Sequence, residues 1–224
     1  MGGNTNTSKK GFLLPLIIAT VLFLVLFLPA GSLRYWAGWI WWSVTFAMGI
    51  FITAYFMKKN PEFIARRSQH KEKEPQSGIM RILSLIFTLS FLIPGFDYRY
   101  HWSAVPVWII IASNVMVVLG FVFIFLVFKE NNYASAIIEV EEKQPVITTG
   151  PYSIVRHPMY FGILIISLFT PLALGSYWAF ILFLSSIPTN IVRIKIEEKV
   201  LLRDLPGYKN YFLKTRYRLI PYIW

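Results

Sequence analysis

Long apolar stretches separated by short polar segments make up most of the chain. Crossing a hydrocarbon core of ~30 Å takes roughly 20 residues of helix, and six segments approach or reach that length. The third and the last two are short for a perpendicular crossing. The pattern predicts an all-α, polytopic integral membrane protein of about six transmembrane helices, at 12–30, 36–57, 82–96, 106–128, 160–174 and 177–192.

A turn signal, Gly175-Ser176, separates the last two apolar segments. Glycine followed by a small polar residue is typical of tight turns between periodic segments. The sequence therefore predicts a C-terminal helical hairpin. This hairpin would return the residues after 192 to the membrane face that holds the residues before 160.

Basic residues are distributed very unevenly between the two membrane faces. With six crossings both termini lie on one side, and the other side holds only Arg34 and Arg99 of the 22 Lys and Arg residues. Because Lys and Arg concentrate in cytoplasmic loops, both termini are predicted to be cytoplasmic. The net charge of +11 is explained by this sorting and does not indicate a nucleic-acid partner.

Composition excludes several classes of protein and site. Hydrophobic residues make up 56% of the chain and charged residues 15%, whereas soluble domains carry about 25% charged residues. There is no cysteine, so disulfides and thiolate metal ligands are excluded. The three histidines, His70, His101 and His157, lie far apart in sequence, and no metal site is expected. Glycine-rich nucleotide-binding motifs are absent, which excludes a soluble dinucleotide-binding domain.

The loop at 58–81 carries a dense run of charged residues. A solvated loop attracted to anionic headgroups is the interpretation we favour, over a role in binding substrate. His70 lies in this run and is expected to be solvated.

The segment 150–160, Gly-Pro-Tyr-Ser-Ile-Val-Arg-His-Pro-Met-Tyr, concentrates polar residues at the edge of the membrane. Pro158 suits the first turn of the following helix, where its missing N–H is not needed. His157 would then lie at the helix N-terminus, where free amides favour an anion such as a carboxylate. A capped helix with interfacial Tyr and Arg side chains explains this segment equally well.

A second polar segment, Arg193-Ile-Lys-Ile-Glu-Glu198, follows the predicted hairpin. Arg193 and Glu197 share one helix face at i, i+4, which a snorkelling Arg beside a surface Glu would also explain. The closed hairpin, however, brings Glu197 and Glu198 beside His157 and Tyr152. This combination predicts a cytoplasmic pocket for a zwitterionic or cationic small molecule.

Together these motifs resemble one family of membrane enzymes. The pattern G-P-Y-x-x-x-R-H-P-M-Y, a hairpin, R-x-x-x-E-E and a terminal G-Y-x-x-Y…R-L-I-P is similar to the isoprenylcysteine carboxyl methyltransferases. These belong to a wider group of membrane methyltransferases that includes phospholipid N-methyltransferases. The resemblance covers 131–221. It implies one methyltransferase domain, with anchor helices in 1–128 and the cofactor-binding and catalytic portion in 129–224.

The resemblance also implies S-adenosyl-L-methionine as cofactor and assigns residues to it. Arg193 is expected to contact the substrate carboxylate. From the chemistry of the residues, Glu197 suits the cofactor's ammonium and His157 its carboxylate, while Glu198 or a tyrosine is the candidate base for an amine acceptor. The expected cofactor-binding residues are Gln144, Pro145, Val146, Ile147, Tyr152, His157, Pro158, Met159, Tyr160 and Glu197.

The predicted function is methylation of an isoprenylcysteine-like carboxylate on a lipophilic acceptor that enters from the bilayer lipids. A carboxylate is already ionised near neutral pH and needs no general base. The alternatives are a phospholipid amine or a small thiol as acceptor or, in another class, a membrane transporter or scaffold. No ionisable residue lies mid-span, where transporters usually bind coupling ions. Asn114 is the nearest candidate, and a lone Asn is more typical of interhelical hydrogen bonding.

Overall fold

A computed structural model describes residues 4–67, 78–134, 138, 140–141 and 144–224. His70 and the charged residues at 71–74 in the run at 58–81 lie outside these residues. The described part is helical, with a short 3-10 helix at Gly150–Ser153. Its α-helices are α1 Asn4–Ala30, α2 Trp36–Lys59, α3 Pro61–Arg67, α4 Gly78–Ser90, α5 Ile93–Tyr100, α6 Val107–Glu130, α7 Pro158–Ala173, α8 Tyr177–Phe183, α9 Ser186–Asp204 and α10 Tyr208–Lys214.

The helices confirm a polytopic helical membrane protein. The fifth predicted span corresponds to α7, whose 16 residues extend about 24 Å, less than a full hydrocarbon core. Within the described residues, five helical stretches are long and apolar enough to cross a membrane: Leu13–Ala30, Trp36–Lys59, Arg81–Tyr100, Val107–Glu130 and Tyr177–Asp204.

Two spans predicted as single helices are interrupted. The third is divided between α4 and α5, with Pro94 in the first turn of α5, where a missing N–H is tolerated. The last is divided between α8 and α9, again with a proline, Pro188, in the first turn of the second helix. The prediction of continuous helices was wrong at both places. Helix α9 then runs to Asp204, well past the predicted end at 192.

The predicted C-terminal hairpin is present. Gly175 has a φ of +75°, a left-handed conformation that glycine adopts without strain. The Ser176 hydroxyl accepts a hydrogen bond from the amide of Ala179 and so caps α8, and it donates to the buried carboxylate of Asp97 in α5. Asp97 also accepts from the Ser103 hydroxyl at 2.7 Å. These bonds fix the tip of the hairpin to the neighbouring helix.

Glycines allow α6 and α7 to pack closely. A Cβ on Gly162 would lie 2.5 Å from Ile124 Cγ1, and one on Gly120 would lie 2.7 Å from Ile166 Cγ1. Small residues at such crossings let membrane helices approach each other. The close packing places the N-terminus of α7 beside the C-terminus of α6, where the polar segments meet.

Replacing Gly162 with alanine is expected to lower stability. Because the added methyl group overlaps Ile124, Gly162→Ala should reduce the free energy of unfolding by roughly 1–3 kcal/mol. Thermal unfolding in detergent measures the effect. Gly49→Ala is the matched control, since a Cβ there meets no atom within 4 Å. Equal midpoints for the two variants would contradict the close approach.

Candidate functional site

A cavity of about 350 Å³ lies where α3, α6, α7 and α9 end and the segment 144–147 passes between them. Its volume falls within the range of roughly 300–1,000 Å³ that is typical of small-molecule sites. Polar and apolar side chains both contribute to its walls. The lining residues used below are Arg67, Asn131, Gln144, Pro145, Val146, Ile147, Tyr152, Arg156, His157, Met159, Tyr160, Ile163, Asn190, Arg193, Glu197, Leu201, Leu205, Tyr208 and Tyr211.

Behind one wall, the buried carboxylate of Glu198 joins two guanidinium groups. Arg156 Nε donates to Oε1 at 2.7 Å and Arg218 Nε donates to Oε2 at 2.8 Å. Only 4% of Glu198 is exposed. Both of its oxygens are therefore engaged, and charged hydrogen bonds of this kind are roughly twice as strong as neutral ones.

The same cluster holds the C-terminal segment against the loop before α7. Arg156 Nη1 donates to the carbonyl of Thr215 at 2.6 Å and to that of Arg216 at 3.0 Å. The amides of Arg156 and His157 donate to the carbonyls of Tyr217 and Arg218, both at 2.9 Å. The C-terminal segment thus holds in place the loop before α7, which contributes Tyr152, Arg156 and His157 to the cavity wall.

His157 lies between the two adjacent glutamates. Its Nδ1 is 3.7 Å from Glu197 Oε1, and its Nε2 is 3.4 Å from Glu198 Oε1. Only 3% of the residue is exposed. This geometry disfavours the expected contact between His157 and a cofactor carboxylate, because the imidazole already lies beside two carboxylates.

Glu197, Tyr160 and Arg193 form a hydrogen-bonded network on the cavity side. The Tyr160 hydroxyl donates to Glu197 Oε2 at 2.7 Å and accepts from Arg193 Nε at 3.2 Å. The i, i+4 pair predicted on α9 is thus bridged by a tyrosine from α7. Glu197 keeps 25% of its side chain exposed, in contrast to its neighbour Glu198.

Tyrosines from two further segments form the opposite wall. Asn131 Nδ2 donates to the Tyr152 hydroxyl at 3.0 Å, and the Tyr211 hydroxyl donates to the Tyr152 carbonyl at 2.7 Å. Burial raises the pKa of Tyr152 and Tyr208 above the usual range and the pKa of Tyr211 to about 12. These hydroxyls stay protonated near neutral pH and do not supply a base.

Most of the residues predicted for the site meet in this cavity, with two exceptions. Pro158 is buried as the first residue of α7 and does not line the cavity. Glu198 also lies outside the lining, where its two oxygens bind guanidinium groups. This placement conflicts with the prediction of Glu198 as a general base, because a base needs a lone pair directed at the acceptor.

Several lining residues were not singled out from the sequence. The Asn190 amide nitrogen and the Tyr208 hydroxyl are buried without a hydrogen-bond partner and line the cavity. Asn190 lies three residues before Arg193 on α9, so helical periodicity offered a signal for it. Tyr208 is the first tyrosine of the G-Y-x-x-Y motif. Arg67 comes from the charge run that was interpreted as solvated.

Glu198→Gln is expected to destabilise the fold. Removing the carboxylate leaves two guanidinium groups without a counterion, a change that costs about 3–5 kcal/mol for buried pairs. Thermal unfolding in detergent measures it. Asp204→Asn on the same helix removes an exposed carboxylate paired with Arg203 and should leave the midpoint unchanged. Similar midpoints in both variants would argue against the structural role.

Comparisons with known proteins agree with this geometry. Residues 108–205 match the model of the phospholipid methyltransferase family. The fold is similar to that of a eukaryotic intramembrane Ras methyltransferase, isoprenylcysteine carboxyl methyltransferase. The TM-score is 0.55 and the sequence identity 19%, over 96% of this chain and 85% of that one. No curated protein sequence matches the chain. The resemblance noted in the sequence is thereby confirmed, and the family match and the fold together support a membrane methyltransferase.

Proposed function

We propose that this protein is an S-adenosyl-L-methionine-dependent integral membrane methyltransferase that methylates the carboxylate of an isoprenylcysteine-like lipophilic acceptor. One observation carries the proposal. Glu197, Arg193, Asn190 and Tyr208 line a single cavity at one end of the membrane helices. A carboxylate, a guanidinium and two unpartnered polar groups in one site suit a zwitterionic cofactor and an anionic acceptor.

The chain's residues fit the proposed cofactor. Glu197 suits an ammonium group, and the buried Asn190 amide and Tyr208 hydroxyl lack the hydrogen bonds that a bound ligand would supply. Burying polar groups without partners costs free energy, so their exposure to a cavity favours a polar ligand there. The apolar side chains that line the same cavity, and that suit the flat face of a nucleobase, are Val146, Ile147, Leu201 and Leu205.

The reaction would need little acid–base chemistry from the protein. When bound, the cofactor supplies a methyl group on a sulfonium, so that the new C–O bond forms as the C–S bond breaks and no proton moves. Arg193 would orient the acceptor carboxylate, since a guanidinium presents a planar fork of donors. Tyr160 holds Arg193 and Glu197 in place from the neighbouring helix. The residues then contribute alignment and exclusion of water.

A phospholipid amine is the second candidate acceptor, because the matched family model is named for phospholipid methylation. An amine must lose a proton, which requires a base. Among the described lining residues Glu197 is the only carboxylate, and in our proposal it already binds the cofactor's ammonium. The described geometry therefore favours the carboxylate acceptor.

Cofactor binding is the direct test of the proposal. Calorimetric titration of the detergent-purified protein with S-adenosylhomocysteine should give saturable binding. Glu197→Gln should weaken that binding at least tenfold, since a hydrogen bond to a charged group contributes about 1.5–3 kcal/mol. Asp204→Asn, an exposed carboxylate on the same helix, is the control and should bind like the wild type. No binding by the wild type at millimolar ligand would favour a transporter or scaffold.

The proposed active site and both termini face the cytoplasm. Because the chain has no cysteine, single-cysteine variants report on orientation without background. Tyr100 and Leu213 are exposed at opposite ends of the described helices. In intact cells Tyr100→Cys should react with a membrane-impermeant maleimide, whereas Leu213→Cys should react only after permeabilisation. The reverse labelling pattern would overturn the orientation.

A further inference from the structure

Arg67 brings a guanidinium group into the cavity from the first half of the chain. It is the last residue of α3, and it lines the same cavity as Arg193 and Glu197. It lies outside residues 108–205, the part that matches the phospholipid methyltransferase model. The role argued below rests on the proposed function.

The contacts of Arg67 use only a small part of its hydrogen-bonding capacity. Its Nη1 donates to the carbonyl of Ala134 at 3.0 Å, and its guanidinium carbon lies 4.4 Å from the centre of the Phe128 ring. A guanidinium has five N–H donors, and within the described part of the chain one of them has a protein acceptor. Among the residues that the structure describes, no carboxylate pairs with Arg67.

The surroundings of Arg67 disfavour an unpaired charge. Burial lowers the pKa of Arg67 to about 10, although the group remains a cation near neutral pH. The neighbouring ionisable groups are the tyrosine hydroxyls of Tyr160 and Tyr152. Among the described residues this partly buried cation faces neutral hydroxyls and has no counterion, and an anionic ligand in the cavity would provide one.

The other two guanidinium groups at the site, those of Arg156 and Arg193, donate hydrogen bonds to described protein groups. Arg156 binds the Glu198 carboxylate and two backbone carbonyls of the C-terminal segment. Arg193 donates to the hydroxyl of Tyr160, which also donates to Glu197. Arg67 is therefore the lining guanidinium whose charge the described protein groups balance least.

Arg67 also lies beside apolar side chains of the cavity. Phe63 and Phe128, over which it lies, belong to an apolar cluster that includes Phe56 and Ile124. These aromatic side chains are buried, and the side chains packed against them that line the cavity are Ala134, Met159 and Ile163. This apolar surface suits the hydrocarbon part of an acceptor.

We infer that Arg67 binds the anionic oxygen group of the lipophilic acceptor and thereby determines acceptor specificity. The acceptor's hydrocarbon chain would lie along the lining side chains of Ala134, Met159 and Ile163, and its carboxylate or phosphate would accept hydrogen bonds from the free edge of the guanidinium. In this arrangement Arg67 selects an anionic acceptor from the membrane-anchor half of the chain. Arg193 of α9 orients the same anionic group, while Glu197 and the segment 144–147 hold the cofactor.

The test compares a charged probe with its uncharged counterpart. N-acetyl-S-farnesylcysteine and its methyl ester differ by one methyl group, which removes the negative charge of the carboxylate. In detergent, Arg67→Gln should weaken binding of the acid at least tenfold while leaving the ester unchanged. Arg67→Lys keeps the charge but loses the planar fork, so it should bind the acid with intermediate affinity. Equal loss of acid and ester, or no loss of either, would overturn the inference.

Two controls separate this inference from the proposed function. Lys59→Gln removes one positive charge from an exposed position at the end of α2 and should bind both probes like the wild type. S-adenosylhomocysteine affinity should be unchanged in Arg67→Gln. A tenfold loss would instead assign Arg67 to the cofactor and overturn its role in acceptor binding. Failure of the wild type to bind S-adenosylhomocysteine would contradict the proposed function. The comparison of acid and ester would still test whether Arg67 binds an anion.

A further binding measurement distinguishes a carboxylate from a phosphate as the group that Arg67 recognises. Lysophosphatidylethanolamine carries a phosphate beside its amine and tests the second candidate acceptor. One outcome is that the wild type binds this lipid and not the farnesyl acid. If Arg67→Gln then weakened binding of the lipid tenfold, the anion-binding role would be supported, with phosphate as the group recognised. Binding of either probe that is insensitive to Arg67 would overturn it.

Discussion

The walls of the cavity depend on one buried carboxylate. Glu198 accepts hydrogen bonds from Arg156 and Arg218, and so joins α9, the loop before α7 and the C-terminal segment. The loop is distant in sequence from the other two parts, and both the loop and the C-terminal segment are short and largely irregular. Since breaking a buried ion pair leaves uncompensated charge, the cluster strongly favours one arrangement of all three.

Two adjacent glutamates on α9 acquire different roles from the helix geometry. Successive residues on an α-helix are about 100° apart, so one side chain enters the charge cluster while the other faces the cavity. Glu197 there binds Tyr160, which also holds Arg193. The structural carboxylate and the proposed ligand-binding carboxylate are thus neighbours in sequence, with His157 between them.

The division of the chain into an anchor portion and a catalytic portion stays a prediction. The residues proposed to bind the cofactor all lie in 129–224. Arg67, however, reaches the cavity from the short helix that follows α2, and it packs on Phe128 at the end of α6. We therefore regard the first half of the chain as a contributor to the site, which membrane anchoring alone does not require.

The sequence alone determined the helical membrane class, the hairpin at Gly175 and ten of the residues that line the cavity, because apolar length, turn residues and spaced motifs act locally along the chain. Local pattern could not reveal the helix breaks near Pro94 and Pro188, since prolines also lie inside continuous helices of this chain, at Pro15 in α1 and Pro171 in α7. Only the tertiary structure decided that Glu198 is enclosed by Arg156 and Arg218 and that Arg67 enters the cavity. Both outcomes depend on contacts between segments far apart in sequence, where a charged residue has the same local pattern whether it is solvated or buried.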